Sequence, residues 1–423
     1  MPQSSHDARQ HILRTLAQTD LEALEQRLSP KHHPLPARVP GASLTTAESV
    51  ARRWKNLGLS AETSDALWDP ATAQASESFH GHIENLIGTV KVPVGVAGPL
   101  RVNGVHAQGD YFVPLATTEA ALVASYHRGA VVLSESGGCT ALLISEGISR
   151  APGFAFANLI EAGRFVAWAV GEVEKFREIA AGTTRHGSLT DLRFSVEGNH
   201  VYLVFEYLTG DAAGQNMVTI ATQAICDYIN TASPVKPEYS FVESNLSGDK
   251  KASAQSFQAV RGKKVSAEVV VPAALLEKRL HTSAARMTDY WRMSAVGGVL
   301  SGTIGVQGHY ANGLAALYIA CGQDAACVSE SAVGVTRFEE RPDGALYAAV
   351  TLPNLIVGTV GGGTSLPSQR ACLEILGLYG TGHARALAEV TAALCLAGEI
   401  SIIAALSCQE FTRAHRKLAR DHS

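Results

Sequence analysis

Residues 189–208 read LTDLRFSVEGNHVYLVFEYL: two runs rich in β-branched and aromatic residues on either side of a Glu197-Gly198-Asn199 break. Runs of that composition, separated by three residues that include a glycine, predict a β-hairpin. Working outward, SRAPGFAF at 149–156 reads as extended and the stretch near 158–180 as one amphipathic helix. Beyond the hairpin a helix opens after Asp211, and EYSFVESN at 238–245 is extended again. The order β-α-β-β-α-β predicts a split βαβ unit of the ferredoxin-like kind at 149–245, each helix covering one face of an antiparallel sheet. The flanking segments, 82–148 and 246–423, then form a larger, mostly helical domain around the inserted unit. Residues 1–81 form an N-terminal helical arm, and the expected class is α+β.

In the first flank, TTEAALVASYHRGAVVL predicts a helix capped by Thr117 or Thr118; the second ends in one long helix from ALAEVTAALCLAGEIS toward the basic C-terminus. The 423 residues are 46% hydrophobic and 17% charged with net charge −4, which leaves no basic field for nucleic acid. Charge is absent from 293–323 and from 344–369, but glycines, Gln307, His309, Asn312, Pro353 and Asn354 interrupt both runs, so neither is expected to span a membrane. The N-terminus has no apolar signal core, and the seven cysteines form no CxxC pair. A cytoplasmic protein with reduced, buried thiols is the expectation.

No dinucleotide-binding GxGxxG, P-loop, HExxH or GxSxG motif occurs, and the HxH of His80 and His82 stands alone, so no metal is expected. What remains are isolated ionisable residues in apolar, glycine-rich surroundings, where an unpaired charge is costly and usually has a partner or a task. These are Glu119 in PLATTEAALVAS, Asp324 in IACGQDAA, Lys250 with Lys251 in SGDKKAS, and His415 after FTRA. Taken singly, each also reads as a helix-dipole partner, a helix end, a solvated pair or a surface histidine.

Together, ENLIGTVKVPVGVAGPL, PLATTEAALVAS, GDAAGQNM, DKK followed by GKKVSAE, HYANGLAALYIACGQDAA, VGTVGGGTSLPSQRACLEILG and LAGEISIIAAL resemble 3-hydroxy-3-methylglutaryl-coenzyme A (HMG-CoA) reductase, from about 82 to 418. The resemblance is to the class that includes the eukaryotic catalytic domain. It implies a four-electron reduction of HMG-CoA to mevalonate by two hydrides from NADPH. Such chemistry needs an electrophile for the carbonyl oxygen and acids for the alkoxide and the departing thiolate. The resemblance implies Lys250 as the oxyanion-stabilising cation, Glu119 as proton donor, Asp324 as the carboxylate between them and His415 as the acid for the coenzyme A thiolate. It implies cofactor contacts at Asp211, Gly214, Asn216, Gly361 and Gly362, with Thr184 and Arg185 at the 2′-phosphate, favouring NADPH over NADH. Ser125, Arg128 and His309 are implied for coenzyme A, and Arg150, Asn245, Lys251 and Asn312 for the acyl substrate. A homodimer or homotetramer with sites between subunits is implied as well. One departure matters: Glu243 stands where the family usually has a serine, so a related short acyl thioester is an alternative substrate. A non-catalytic acyl-coenzyme A-binding homologue is the other alternative.

Overall fold

The computed structural model describes residues 9–10, 13, 20–34 and 38–408. Its strands in chain order are β1 (Val94–Gly104), β2 (Gln108–Ala116), β3 (Cys139–Arg150), β4 (Gly153–Ala155), β5 (Ser188–Glu197), β6 (His200–Leu208), β7 (Tyr239–Phe241), β8 (Gly262–Val271), β9 (Gly305–Val306), β10 (Gly334–Glu340) and β11 (Leu346–Leu355). The predicted hairpin is β5–β6, paired antiparallel through Glu197↔His200 with Gly198 in the left-handed region. β4 lies on the other side of β6 and β7 beyond it, so four strands run β7–β4–β6–β5, all neighbours antiparallel. The single helix expected near 158–180 is two, Leu159–Gly171 and Val173–Thr183, and the helix after Asp211 spans Gln215–Ala232. Their apolar faces meet the sheet in a core that includes Phe154, Phe165, Phe176, Phe205 and Ile225.

The flanking segments depart from the mostly helical expectation, because they build a sheet of their own. β8 pairs antiparallel with both β3 and β11, β11 pairs with β10, and β1 and β2 form a hairpin beside β3. GKKVSAEVVV alternates buried and half-exposed positions strictly in its first half, a period-2 pattern. VPVGVAGPLRVNG, rich in glycine and proline, nonetheless carries β1. β3 links the two parts: 140–147 pair with β8, and Ile148–Arg150 continue onto β6.

The helix Ala384–Ser407 fills the centre of the second core and is buried along nearly its whole length. It is the one described helix long and apolar enough to cross a membrane, and 89% of its apolar window lies inside the protein. Gly129 of the helix Leu122–Glu135 meets the backbone of Ala397 so closely that a side chain there has no room. The uncharged run 293–323 divides. Tyr310–Ala320 is a core helix, whereas Met293, Val296, Val299 and Leu300 face outward. All seven cysteines are free, six of them buried.

Candidate active site

A cavity of about 450 Å³ opens between Glu119–Tyr126, Arg128, the 308–312 segment and the end of the central helix at Ile402, Ala405 and Leu406. The predicted residues Glu119, Ser125, Arg128, His309 and Asn312 all line it. The helix behind Glu119 starts later than expected, at Leu122, and lacks a side-chain cap. Thr117 accepts the Glu119 amide instead, so Glu119 stands on a turn ahead of the helix, where Asn312 Nδ2 reaches both its carboxylate oxygens at 3.4 Å. Ser125 and Arg128 both bond the Ser401 hydroxyl, at 2.9 and 3.1 Å. His309 Nε2 donates to the carbonyl of Gly398 at 3.0 Å; a carbonyl only accepts, which leaves Nδ1 to accept from the Tyr126 hydroxyl at 3.2 Å.

The opposite wall is fixed by Glu399, whose exposure is only 1%. Its carboxylate accepts from the amides of Gly308 and His309 and from the Thr336 hydroxyl, at 2.7, 2.9 and 2.7 Å. Three donors replace the hydration that burial removes. The same pattern recurs ten residues earlier on the helix, where Glu389 accepts from the amides of His106, Ala107 and Leu143.

Lys250 and Asp324 form a second cluster, Nζ to Oδ2 at 2.8 Å, with side chains 44% and 39% exposed. The hydrogen bond that Lys250 donates to Asp324 holds its ammonium above the ordinary lysine pKa against a smaller desolvation effect. Lys250 has φ +57°, a conformation costly for any residue with a Cβ, and its amide donates to Glu330. Asp324 also caps the following turn through the Ala326 amide. Beneath the pair runs a buried ion network: Asp249 bridges Arg150 at 2.9 Å and Arg261 at 2.7 Å, Arg150 also meets Glu243 at 3.1 Å, and Arg261 meets Glu330 at 2.6 Å. Burial works against the Asp249 charge, but Arg261 and Arg150 outweigh it and hold the carboxyl below its usual range. Among the residues implied for the acyl group, Arg150 is therefore deep in this network, whereas Asn245 and Lys251 lie on the exposed loop above it.

The residues implied for the nucleotide converge beside this second cluster. Gln215, first residue of its helix, donates to Cys327 and accepts from Arg261, which ties the helix start to the turn carrying Asp324. Gln323 pins Gly358 through two bonds of 2.8 and 3.0 Å. Asp211 does not cap its own helix; it accepts from the amides of Gly382 and Ala384 and so joins the turn before Gln215 to the start of the central helix. Thr184 reaches Met217, bringing 184–185 to the first turn of the same helix near exposed Asn216. The residues fit an anionic dinucleotide: Gly214 leaves the helix N-terminus without a side-chain cap, and Gly361 and Gly362 have positive φ with open space where side chains would sit.

The family model described as hydroxymethylglutaryl-coenzyme A reductase matches residues 49–420. The chain is a member of that family. The 3-hydroxy-3-methylglutaryl-coenzyme A reductase of Pyrococcus horikoshii is 43% identical over 353 residues, 82% of this chain and 85% of that protein. The Halobacterium salinarum enzyme is 43% identical over 352 residues, 82% and 86% of the two chains. In fold the chain is similar to the class II enzyme of Streptococcus pneumoniae bound to NADPH in open conformations, with a TM-score of 0.64, 18% identity and coverage of 85% of this chain and 96% of that one. That likeness is one of fold, mixed α+β around a large sheet.

As a member of the family, the chain matches from residue 49, within the segment that carried no family signal on sequence reading. The geometry accounts for that reach. Arg53 of the helix Ala47–Leu57, 1% exposed, donates to the carbonyls of Pro40, Gly41, Leu44 and Leu86, and Trp54 donates to Ile87, so this helix holds the ENLIG loop. His415 lies outside the described residues. Sequence reading passed over Glu399, Glu330, Arg261 and Gln215. Glu399 and Glu330 satisfy the same criterion that selected Glu119 and Asp324, a lone charge in an apolar run.

Proposed function

We propose that this chain catalyses the NADPH-dependent four-electron reduction of (S)-HMG-CoA to (R)-mevalonate and coenzyme A, through mevaldyl-CoA and mevaldehyde. The observation that carries the reading is the Lys250–Asp324 pair set against the Gln215 helix start and the Gly358 loop. When bound there, NADPH supplies the hydrides. Lys250, kept cationic by Asp324, stabilises the oxyanion that develops on the thioester and later on the aldehyde. Glu119, oriented by Asn312, protonates the alkoxide, and His415 protonates the coenzyme A thiolate. Thr184 and Arg185 take the 2′-phosphate, Asp211, Gly214, Asn216, Gly361 and Gly362 shape the cofactor cradle, and Ser125, Arg128 and His309 flank the coenzyme A arm. Asn245 and Lys251 face the acyl group.

We further propose that the working site lies between two copies of the chain. Asn312 and Ala320 are eight helical residues apart, about 12 Å at 1.5 Å per residue, and Asp324 lies beyond that end of the helix. Glu119 at one end and Lys250 at the other therefore do not share a substrate carbonyl within one chain, and each stands in a solvent-open half-site. A two-fold axis that sets the Glu119 half-site of one copy against the Lys250 half-site of the other supplies all the groups. The domain division 1–81, 82–148, 149–245 and 246–423, with 149–245 as an inserted ferredoxin-like cofactor domain, is supported by the β7–β4–β6–β5 order and the separate core of that unit. Membership of the class that includes the eukaryotic catalytic domain is supported by the motif resemblance, and identity to the class II enzyme is only 18%. We place the protein in the cytoplasm.

One observation favours a second reading, a different short acyl group: the charge of Arg150, implied for the acyl substrate, is already matched by Glu243 and Asp249. Steady-state assays decide. The proposal expects two NADPH oxidised per mevalonate, preference for HMG-CoA over simpler acyl thioesters, and loss of turnover in Lys250→Ala. Full activity in Lys250→Ala, or preference for another acyl thioester, would overturn it.

A further inference from the structure

Glu330 has no accessible surface and is used by no step above, yet it is hydrogen-bonded directly to the backbone amide of the reacting lysine. Its Oε1 accepts the Lys250 amide at 3.1 Å, and both of its oxygens accept from Arg261 Nη1 at 2.6 Å. Arg261 in turn donates to Asp249, the neighbour of Lys250, at 2.7 Å and to Gln215 at 2.6 Å, while its own amide is fixed by Asn354. The loop carrying Lys250 is thus gripped at two consecutive residues by one buried Arg–Glu pair. That grip falls on the residue with left-handed backbone, a conformation that persists only where its surroundings over-determine it. A buried pair of this kind is weak evidence of stability and better evidence of a geometry being specified.

We propose that Glu330 is a positioning residue for the Lys250 ammonium, holding the strained Lys250 backbone so that the side chain meets Asp324 beside the cofactor cradle. The inference rests on the reading of Lys250 as the oxyanion-stabilising cation. In the ground state the substrate thioester is bound by other groups, whereas Lys250 acts on charge that develops during hydride transfer. Loosening its backbone therefore lowers kcat and leaves KM nearly untouched.

The test is steady-state kinetics on the full-length enzyme carrying Glu330→Gln or Glu330→Asp, with melting curves of each. Glu330→Asp keeps the charge facing Arg261 but draws the carboxylate back by one methylene from the Lys250 amide. Since a displacement of about 1 Å at a catalytic group costs roughly 10²-fold, kcat should fall by that order in both variants, with KM for HMG-CoA and for NADPH within about threefold of wild type. Wild-type kcat in a folded variant overturns the proposal, and so does a rise in KM that accounts for the whole loss. Should Glu330→Gln fail to fold, Glu330→Asp carries the test alone, and its failure to fold as well overturns the positioning role in favour of a structural one. The reading of Lys250 is tested separately: an inactive Lys250→Ala beside a fully active Glu330→Gln sinks this inference only, whereas an active Lys250→Ala sinks the mechanism.

Discussion

Glu389 and Glu399 provide a controlled experiment within one helix. Each is buried, with relative exposures of 0% and 1%, and each accepts two donors on Oε2 and one on Oε1. In Glu399→Gln the amide oxygen keeps the Gly308 amide and the Thr336 hydroxyl, but the His309 amide then faces an NH2 group. One buried donor left unsatisfied costs about 1–3 kcal/mol, and two surviving bonds that lose their charge assistance cost about half a kcal/mol each, giving about 2–4 kcal/mol in total. Glu389→Gln loses the same inventory against His106, Ala107 and Leu143, so both variants should melt several degrees lower by a similar amount. Function should separate them. Glu399 fixes Gly308 and His309 in the wall of the cavity that also contains Ser125 and Arg128, whereas the donors to Glu389 lie outside it. KM for the coenzyme A thioester should rise about five- to tenfold in Glu399→Gln, equivalent to roughly 1–1.4 kcal/mol of binding, and stay at wild type in Glu389→Gln. The assay is initial-rate kinetics with thioester varied at saturating NADPH, beside thermal melts. Equal KM in the two variants at equal loss of melting temperature would refute the assignment of the cavity to the coenzyme A side.

Two further perturbations probe the other half-site. In Asp324→Asn the Lys250 pKa should fall back toward its ordinary value, so the alkaline limb of kcat moves to lower pH; an unmoved limb would show that Asp324 does not control the lysine. The sign for stability agrees: a raised folded pKa contributes stability that is complete below the unfolded lysine value and lost as pH rises through the folded one, so the variant should lose stability at neutral pH and show less further loss on going alkaline. Arg185→Ala should reduce kcat/KM for NADPH by about tenfold, as expected for loss of one exposed phosphate contact, and leave that for NADH unchanged; an equal effect on both cofactors would remove Arg185 from the 2′-phosphate.

The local order of elements in the small unit was legible because its signals are short-range. The hairpin at 189–208, the helix after Asp211 and the last strand at Tyr239–Phe241 each declare themselves within about twenty residues. The second sheet was not legible, because β1, β8 and β11 find their partners across long separations, and glycines and a proline interrupt β1 while Pro353 interrupts β11. Register and partner choice in sheets are set by such non-local contacts. For the site, sequence determined the chemical types: lone ionisable residues in apolar runs single out Glu119, Lys250 and Asp324, and the motif resemblance attaches reductase chemistry to them. Only the tertiary structure decided how they are grouped. The rigid rise of the helix Tyr310–Ala320 holds Glu119 with Asn312 at one end and leaves Asp324 with Lys250 at the other. It also decided which charges serve the frame, because a carboxylate as buried as Glu330, Glu389 or Glu399 is tolerated only where folding brings donors from distant segments onto it. No local reading of sequence contains those donors.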